Sequence, residues 1–143
     1  MADQPNDLID QLRARQGAAL HIVSTVLDDL NAGKDAYVSR LQDRRDEMRA
    51  ALTSYQTFKH EEVFDPILAR GAPDQRALAL DAKTHCIAEG ERYRAYIQEW
   101  PLDRVAREWD AYRVVVRLIG GRLHRHLRDE GDTVCGLIAR NHR

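Results

Sequence analysis

The chain has 143 residues, enough for one hydrophobic core and short of two, so residues 1–143 are read as a single domain. Its 22 basic and 23 acidic side chains are interspersed and leave a formal charge of -1, with no sustained basic block to neutralise phosphates, which argues against nucleic acid and anionic membranes as partners. A hydrophobic content of 43% with 31% charged residues is that of a globular chain rather than a disordered one.

The N-terminus, Met1 to Asp7, is polar and acidic and lacks the positive start and apolar run of a signal peptide. No apolar run approaches a membrane span, so the cytoplasm is the expected compartment. Two cysteines, Cys86 and Cys135, have no CxxC spacing and are too few for a disulfide framework. Both are expected as free thiols, Cys86 at the edge of the core and Cys135 pointing away from it.

Stop signals at Asn31-Ala32-Gly33, Gly71-Ala72-Pro73-Asp74 and Trp100-Pro101 separate four helix-compatible stretches, predicted over 6–30, 34–69, 74–98 and 102–138. Pro73 and Pro101 suit first-turn positions, where a missing N–H costs nothing. The first helix has Leu8, Leu12, Ala19, Val23, Val26 and Leu30 at helical period. The second has Val38, Leu41, Met48, Leu52, Tyr55, Val63 and Ile67. In the third the stripe is Leu78, Ala82, Tyr93, Tyr96 and Trp100; in the fourth it is Val105, Tyr112, Val116, Ile119, Leu123, Val134 and Leu137. Short connections make successive helices antiparallel neighbours, which predicts an all-α, up-down-up-down four-helix bundle. The segment 130–138 also aligns without a gap on 60–68, so the chain reads as two related helical hairpins.

Two HxxxE spacings stand out, His85 to Glu89 and His126 to Glu130, because residues four apart share a helix face. Stepping about 100° per residue from the mean direction of each stripe places all four within about 40° of the core. Gln16 and Gln56 fall near the middle of their stripes and His60 at the inner edge of the second. His21 and His124 project outward, and Arg44-Arg45 and the basic residues between Arg122 and Arg128 read as solvated helix faces.

A carboxylate enters an apolar core only with a partner, since an unpaired buried charge costs several kcal/mol. A metal cation among His60, His85, Glu89, His126 and Glu130 would supply the missing charge, and imidazole with carboxylate suits iron, manganese or zinc. The alternative is a polar layer without metal, His85 bonding Glu130 and His126 bonding Glu89, that fixes helix register. On straight helices His85 and His126 are offset axially by about 16 Å, an offset that shrinks if 99–108 forms a long, partly irregular connection. Gly90, Gly120 and Gly121 inside helices suggest close contact, a bulge or a kink.

With its two hairpins and its HxxxE at His126 and Glu130 ahead of an apolar tail, the chain resembles the hemerythrin-like (HHE cation-binding) domain family. His85 stands at the position of that family's first-helix histidine, and the segment from Phe58 to Leu68 has the family's look, including a proline in the last turn. The first hairpin departs from the pattern: Gln16 and Gln56 stand where histidines are expected and His60 where a glutamate is.

The resemblance implies a four-helix bundle holding one or two non-haem iron ions, with other divalent metals as alternatives. It also implies dioxygen, or another small diatomic or oxidant, as the ligand bound or sensed. His85 and His126 would be terminal ligands, Glu130 and Glu89 bridging or terminal carboxylates, and His60 the residual ligand of the first hairpin. A metal-free scaffold with a regulatory or protein-interaction role is the second reading, and a small oxidative enzyme the third. Fold alone does not choose among them.

Overall fold

A computed structural model describes residues 4–142. Every element among them is helical: α1 (Pro5–Asn31), α2 (Lys34–Phe58), a π-helical turn (Lys59–Phe64), α3 (Asp65–Arg70), α4 (Pro73–Glu99), α5 (Leu102–Arg107) and α6 (Trp109–Asn141). The all-α expectation holds, and the four predicted stretches match within a few residues at their outer bounds. Two of them are subdivided. The second changes to π-helical pitch after Phe58, and the fourth breaks at Glu108, whose φ and ψ of -115° and 44° are not helical.

Punctuation acts as its chemistry dictates. Pro5 and Pro73 occupy first-turn positions of α1 and α4, whereas Pro101, expected in a first turn, is the N-cap residue just before α5. Between α1 and α2 the chain turns at Gly33, whose φ of 110° lies in a region that disfavours any side chain. Pro66 cannot donate to the carbonyl four residues back and its ring crowds that turn, and the wider π turn immediately before it lets the helix continue. The Asp65 N–H is bonded to the His60 carbonyl, five residues back.

α1 packs along α2 and along α6, while α4 lies against α3, α6 and the π turn. Two hydrophobic clusters result. The larger joins Leu12, Ala19 and Val23 of α1 to Leu52, Tyr55 and Phe58 of α2, Val63 and Phe64 of the π turn, Ala79, Ala82 and Cys86 of α4, and Leu127, Val134, Leu137 and Ile138 of α6. The smaller gathers Leu30, Tyr37, Leu41, Trp100, Val105, Tyr112 and Val116. Within it the Tyr112 hydroxyl bonds those of Tyr37 and Tyr96 at 2.5 and 2.6 Å. Fully buried side chains such as Leu12 and Phe64 each contribute roughly 1.5–3 kcal/mol.

On α6, Gly131 lies under the Gln16 side chain of α1, and an added Cβ would lie 2.1 Å from Gln16 Nε2. Gln16, buried as its stripe position predicts, donates to the Leu127 carbonyl at 2.8 Å and accepts from Arg13 at 2.9 Å. Gly90 similarly faces the Gln56 amide, and Gly120 faces Leu27. The bulge itself falls in the glycine-free turn at 59–64. Among the described residues no helix is long and apolar enough to cross a membrane.

α4 is rotated relative to its predicted direction. Its buried face is Ala79, Ala82, Cys86 and Gly90, and Leu78, Leu80 and Ile87 are exposed. Small residues let the neighbouring helices approach closely, whereas a stripe drawn through the larger apolar residues points about one position away.

Candidate functional site

Glu130 is buried, as its stripe predicts, and so is Lys59, whose side chain is only 2% exposed. Met48, Leu52, Tyr55, Lys59, Val63 and Ile67 follow one another at intervals of three or four, so Lys59 occupies a core position of the second stripe. Its ammonium donates to Glu130 Oε1 and, at 3.1 Å, to Cys86 Sγ, and it lies 4.0 Å from the centroid of the Tyr55 ring. Carboxylate, thiol and aromatic face thus surround one cation. Leaving either charge alone would cost several kcal/mol, so each accounts for the other's burial.

His126, half-buried, sits one turn before Glu130 with Nε2 3.5 Å from Glu130 Oε2. Burial opposes ionisation of Glu130, but His126 and Lys59 outweigh it and hold the carboxyl down at about 2. The Tyr55 hydroxyl is pushed far above its usual range by burial and then by the adjacent Glu130 charge. Cys86 is raised by burial, against the pull of Lys59. The centre is an ionised pair walled by neutral groups.

The remaining expected ligands lie elsewhere. His85 is a correction: its side chain is 70% exposed and Nδ1 meets the Asp81 carbonyl at 2.9 Å, because the rotation of α4 gives the inward position to Cys86. The backbone bond and the charge of Asp81 raise its pKa. Glu89 is half-buried and paired with Arg122 of α6 at 3.1 Å and Arg92 at 3.3 Å. It does not meet His126 in the predicted polar layer, nor does His85 meet Glu130. His60 packs edge-on against Phe64, ring centroids 5.5 Å apart, and burial, then Lys83 and Lys59, lower its pKa.

Of the five expected ligands, therefore, His126 and Glu130 come together. Among the described residues no group of three or more His, Cys, Asp or Glu side chains is arranged to hold a metal ion. The residues do not fit an iron centre, because the carboxylate that would anchor it is bonded to an ammonium and the histidine expected opposite faces solvent. Cys86 and Cys135 are free thiols, as expected; Cys86 is buried in the core rather than at its edge, and Cys135 packs half-buried against it.

Beside this ion pair lies a cleft of about 500 Å³ between α2, α4 and α6. Its walls include Leu52, Tyr93, Ile97, Leu123 and Leu127, and Lys59, Cys86, His126 and Glu130 line it as well. Arg45 enters from α2 with its guanidinium 5.8 Å from the Tyr96 ring centroid, and Arg44 pairs with buried Asp29 at 2.8 Å. These two arginines correct the expectation of a solvated basic face. Of the α4 tyrosines Tyr93 lines this cleft, and burial is the main cause that raises its hydroxyl to about 12.

No family model, curated protein or solved structure matches the chain.

Proposed function

We propose that the chain is a metal-free, up-down-up-down four-helix bundle on a hemerythrin-like two-hairpin plan, working in the cytoplasm as a regulatory or binding protein. The observation that carries this reading is the Lys59 ammonium on Glu130. The charge that would recommend a metal to a buried carboxylate is already supplied by the chain itself. A lysine at that place also competes with any divalent cation electrostatically, since two like charges within a few ångströms in a poorly solvated site repel strongly.

Support for a binding role comes from the cleft that the ion pair adjoins, whose volume falls within the range of small-molecule sites. The test is elemental analysis of protein purified from iron-supplemented cells and again after reconstitution with ferrous iron. The expected result is iron, manganese and zinc far below one ion per chain. Near-stoichiometric iron that is lost in His126→Ala and Glu130→Ala but kept in His21→Ala and His124→Ala would restore the non-haem iron reading, with dioxygen or a related oxidant as ligand.

A further inference from the structure

Among the described residues, the buried side-chain nitrogen and oxygen atoms with no hydrogen-bond partner are Arg45 Nε and Nη2, the Tyr55 hydroxyl and Glu130 Oε2. All three residues line the same cleft. A buried polar group left unsatisfied costs about 1–3 kcal/mol, so several on one cavity mark a place where something else completes the bonding.

The identity of the atoms narrows what that is. Nε and Nη2 form one edge of the guanidinium, two parallel N–H donors whose spacing matches the oxygens of a carboxylate. The cations lining the cleft, Arg45, Arg49, Lys59 and Arg94, outnumber the carboxylates Asp46, Glu89 and Glu130 by one. Each of those carboxylates already has a cation: Asp46 has Arg49 at 2.6 Å, Glu89 has Arg122, and Glu130 has Lys59. Arg45 keeps the Nε and Nη2 edge of its guanidinium without a partner. Between it and the ion pair Leu52, Tyr93 and Leu123 give an apolar strip among polar Arg49, Thr53 and Gln56, and at the far end Tyr55 offers an O–H while Glu130 Oε2, 3.5 Å from His126 Nε2, offers a lone pair. Arg45 and Tyr55 are ten positions apart on α2, about 15 Å along the axis, and the length of the arginine side chain shortens the gap to be filled.

We propose that the cleft binds a small amphipathic monocarboxylate, its carboxyl held edge-on by Arg45, its apolar body against Leu52, Tyr93 and Leu123, and a terminal hydroxyl placed between Tyr55 and Glu130. This rests on the reading that Lys59, and not a metal, fills the centre.

Isothermal titration calorimetry on the full chain tests it, with decanoate, ω-hydroxydecanoate, para-hydroxyphenylpropanoate and the uncharged decanediol as probes. At least one carboxylate should bind, more tightly when hydroxylated, and decanediol should bind at least about tenfold more weakly, a difference of about 1.4 kcal/mol. Arg45→Gln should remove that preference for the carboxylate, Arg45→Lys should keep part of it, and circular dichroism should show both variants folded. If Arg45→Gln does not fold, Arg45→Lys and the decanediol comparison still decide. Equal binding of decanediol and the carboxylates, or no binding of any carboxylate to metal-free protein, overturns the proposal and leaves the metal-free reading standing. Stoichiometric iron in the same preparation overturns the metal-free reading instead.

Discussion

Lys59, in the π turn, and Glu130, on α6, are joined side chain to side chain across 71 positions of sequence, and both are almost completely buried. The contact ties the two halves of the chain at the centre of the larger cluster. Glu130 is held at about 2 against 4.5 for a free glutamate. A carboxyl depressed in the folded state adds stability that is fully present above its unfolded pKa and is lost as the pH falls through the folded one. Urea unfolding should therefore show a loss on the order of 3 kcal/mol between pH 4.5 and about 2, a slope that Glu130→Gln should lack. An unchanged acid slope in Glu130→Gln would assign the acid sensitivity to other groups.

Gly131 of α6 makes room for the Gln16 amide of α1. Gly131→Ala puts a methyl into the Gln16 amide and should break its bond to the Leu127 carbonyl, costing about 1–3 kcal/mol in chemical denaturation. Adding Gln16→Ala should recover part of that loss, because the obstructing amide is gone. Strict additivity of the two substitutions would contradict the contact.

Two histidines of the expected ligand set should titrate on opposite sides of the ordinary value of 6.5. His85 is raised by Asp81, and His60 is lowered by burial and by Lys83 and Lys59. A proton NMR titration that placed His60 above His85 would contradict their environments. His85→Ala, on an exposed side chain, should change stability by no more than about 0.5 kcal/mol.

What was legible in the sequence follows from how burial is encoded. On the first, second and fourth stretches the large apolar residues also carry the interface, so their stripes point Leu12, Leu52, Tyr55, Tyr112 and Val134 inward, with Glu130 and Gln16, and all seven are buried. On α4 the interface is carried by Ala79, Ala82, Cys86 and Gly90, whereas the stripe through Leu78, Ala82, Tyr93, Tyr96 and Trp100 omits three of these four and includes the exposed Leu78. That stripe points His85 inward, where the structure has Cys86. Residue type hides Lys59, since lysine is rarely buried unless paired. Its spacing from Leu52 and Tyr55 is nevertheless a signal, and the stripe of the fourth stretch already points its partner acid, Glu130, inward. The π turn had no glycine to announce it; Pro66 was its one sign.

The most direct test of the account is a double-mutant cycle on the central pair, using Lys59→Met, Glu130→Leu and the two together, with unfolding free energies measured at neutral pH in the presence of a metal chelator. Each single substitution strands a buried charge and should cost about 3–5 kcal/mol, whereas the double variant, with neither charge, should cost far less than the sum. Additive losses, or a Lys59→Met variant as stable as the parent chain, would contradict the claim that this lysine is the counter-charge of Glu130.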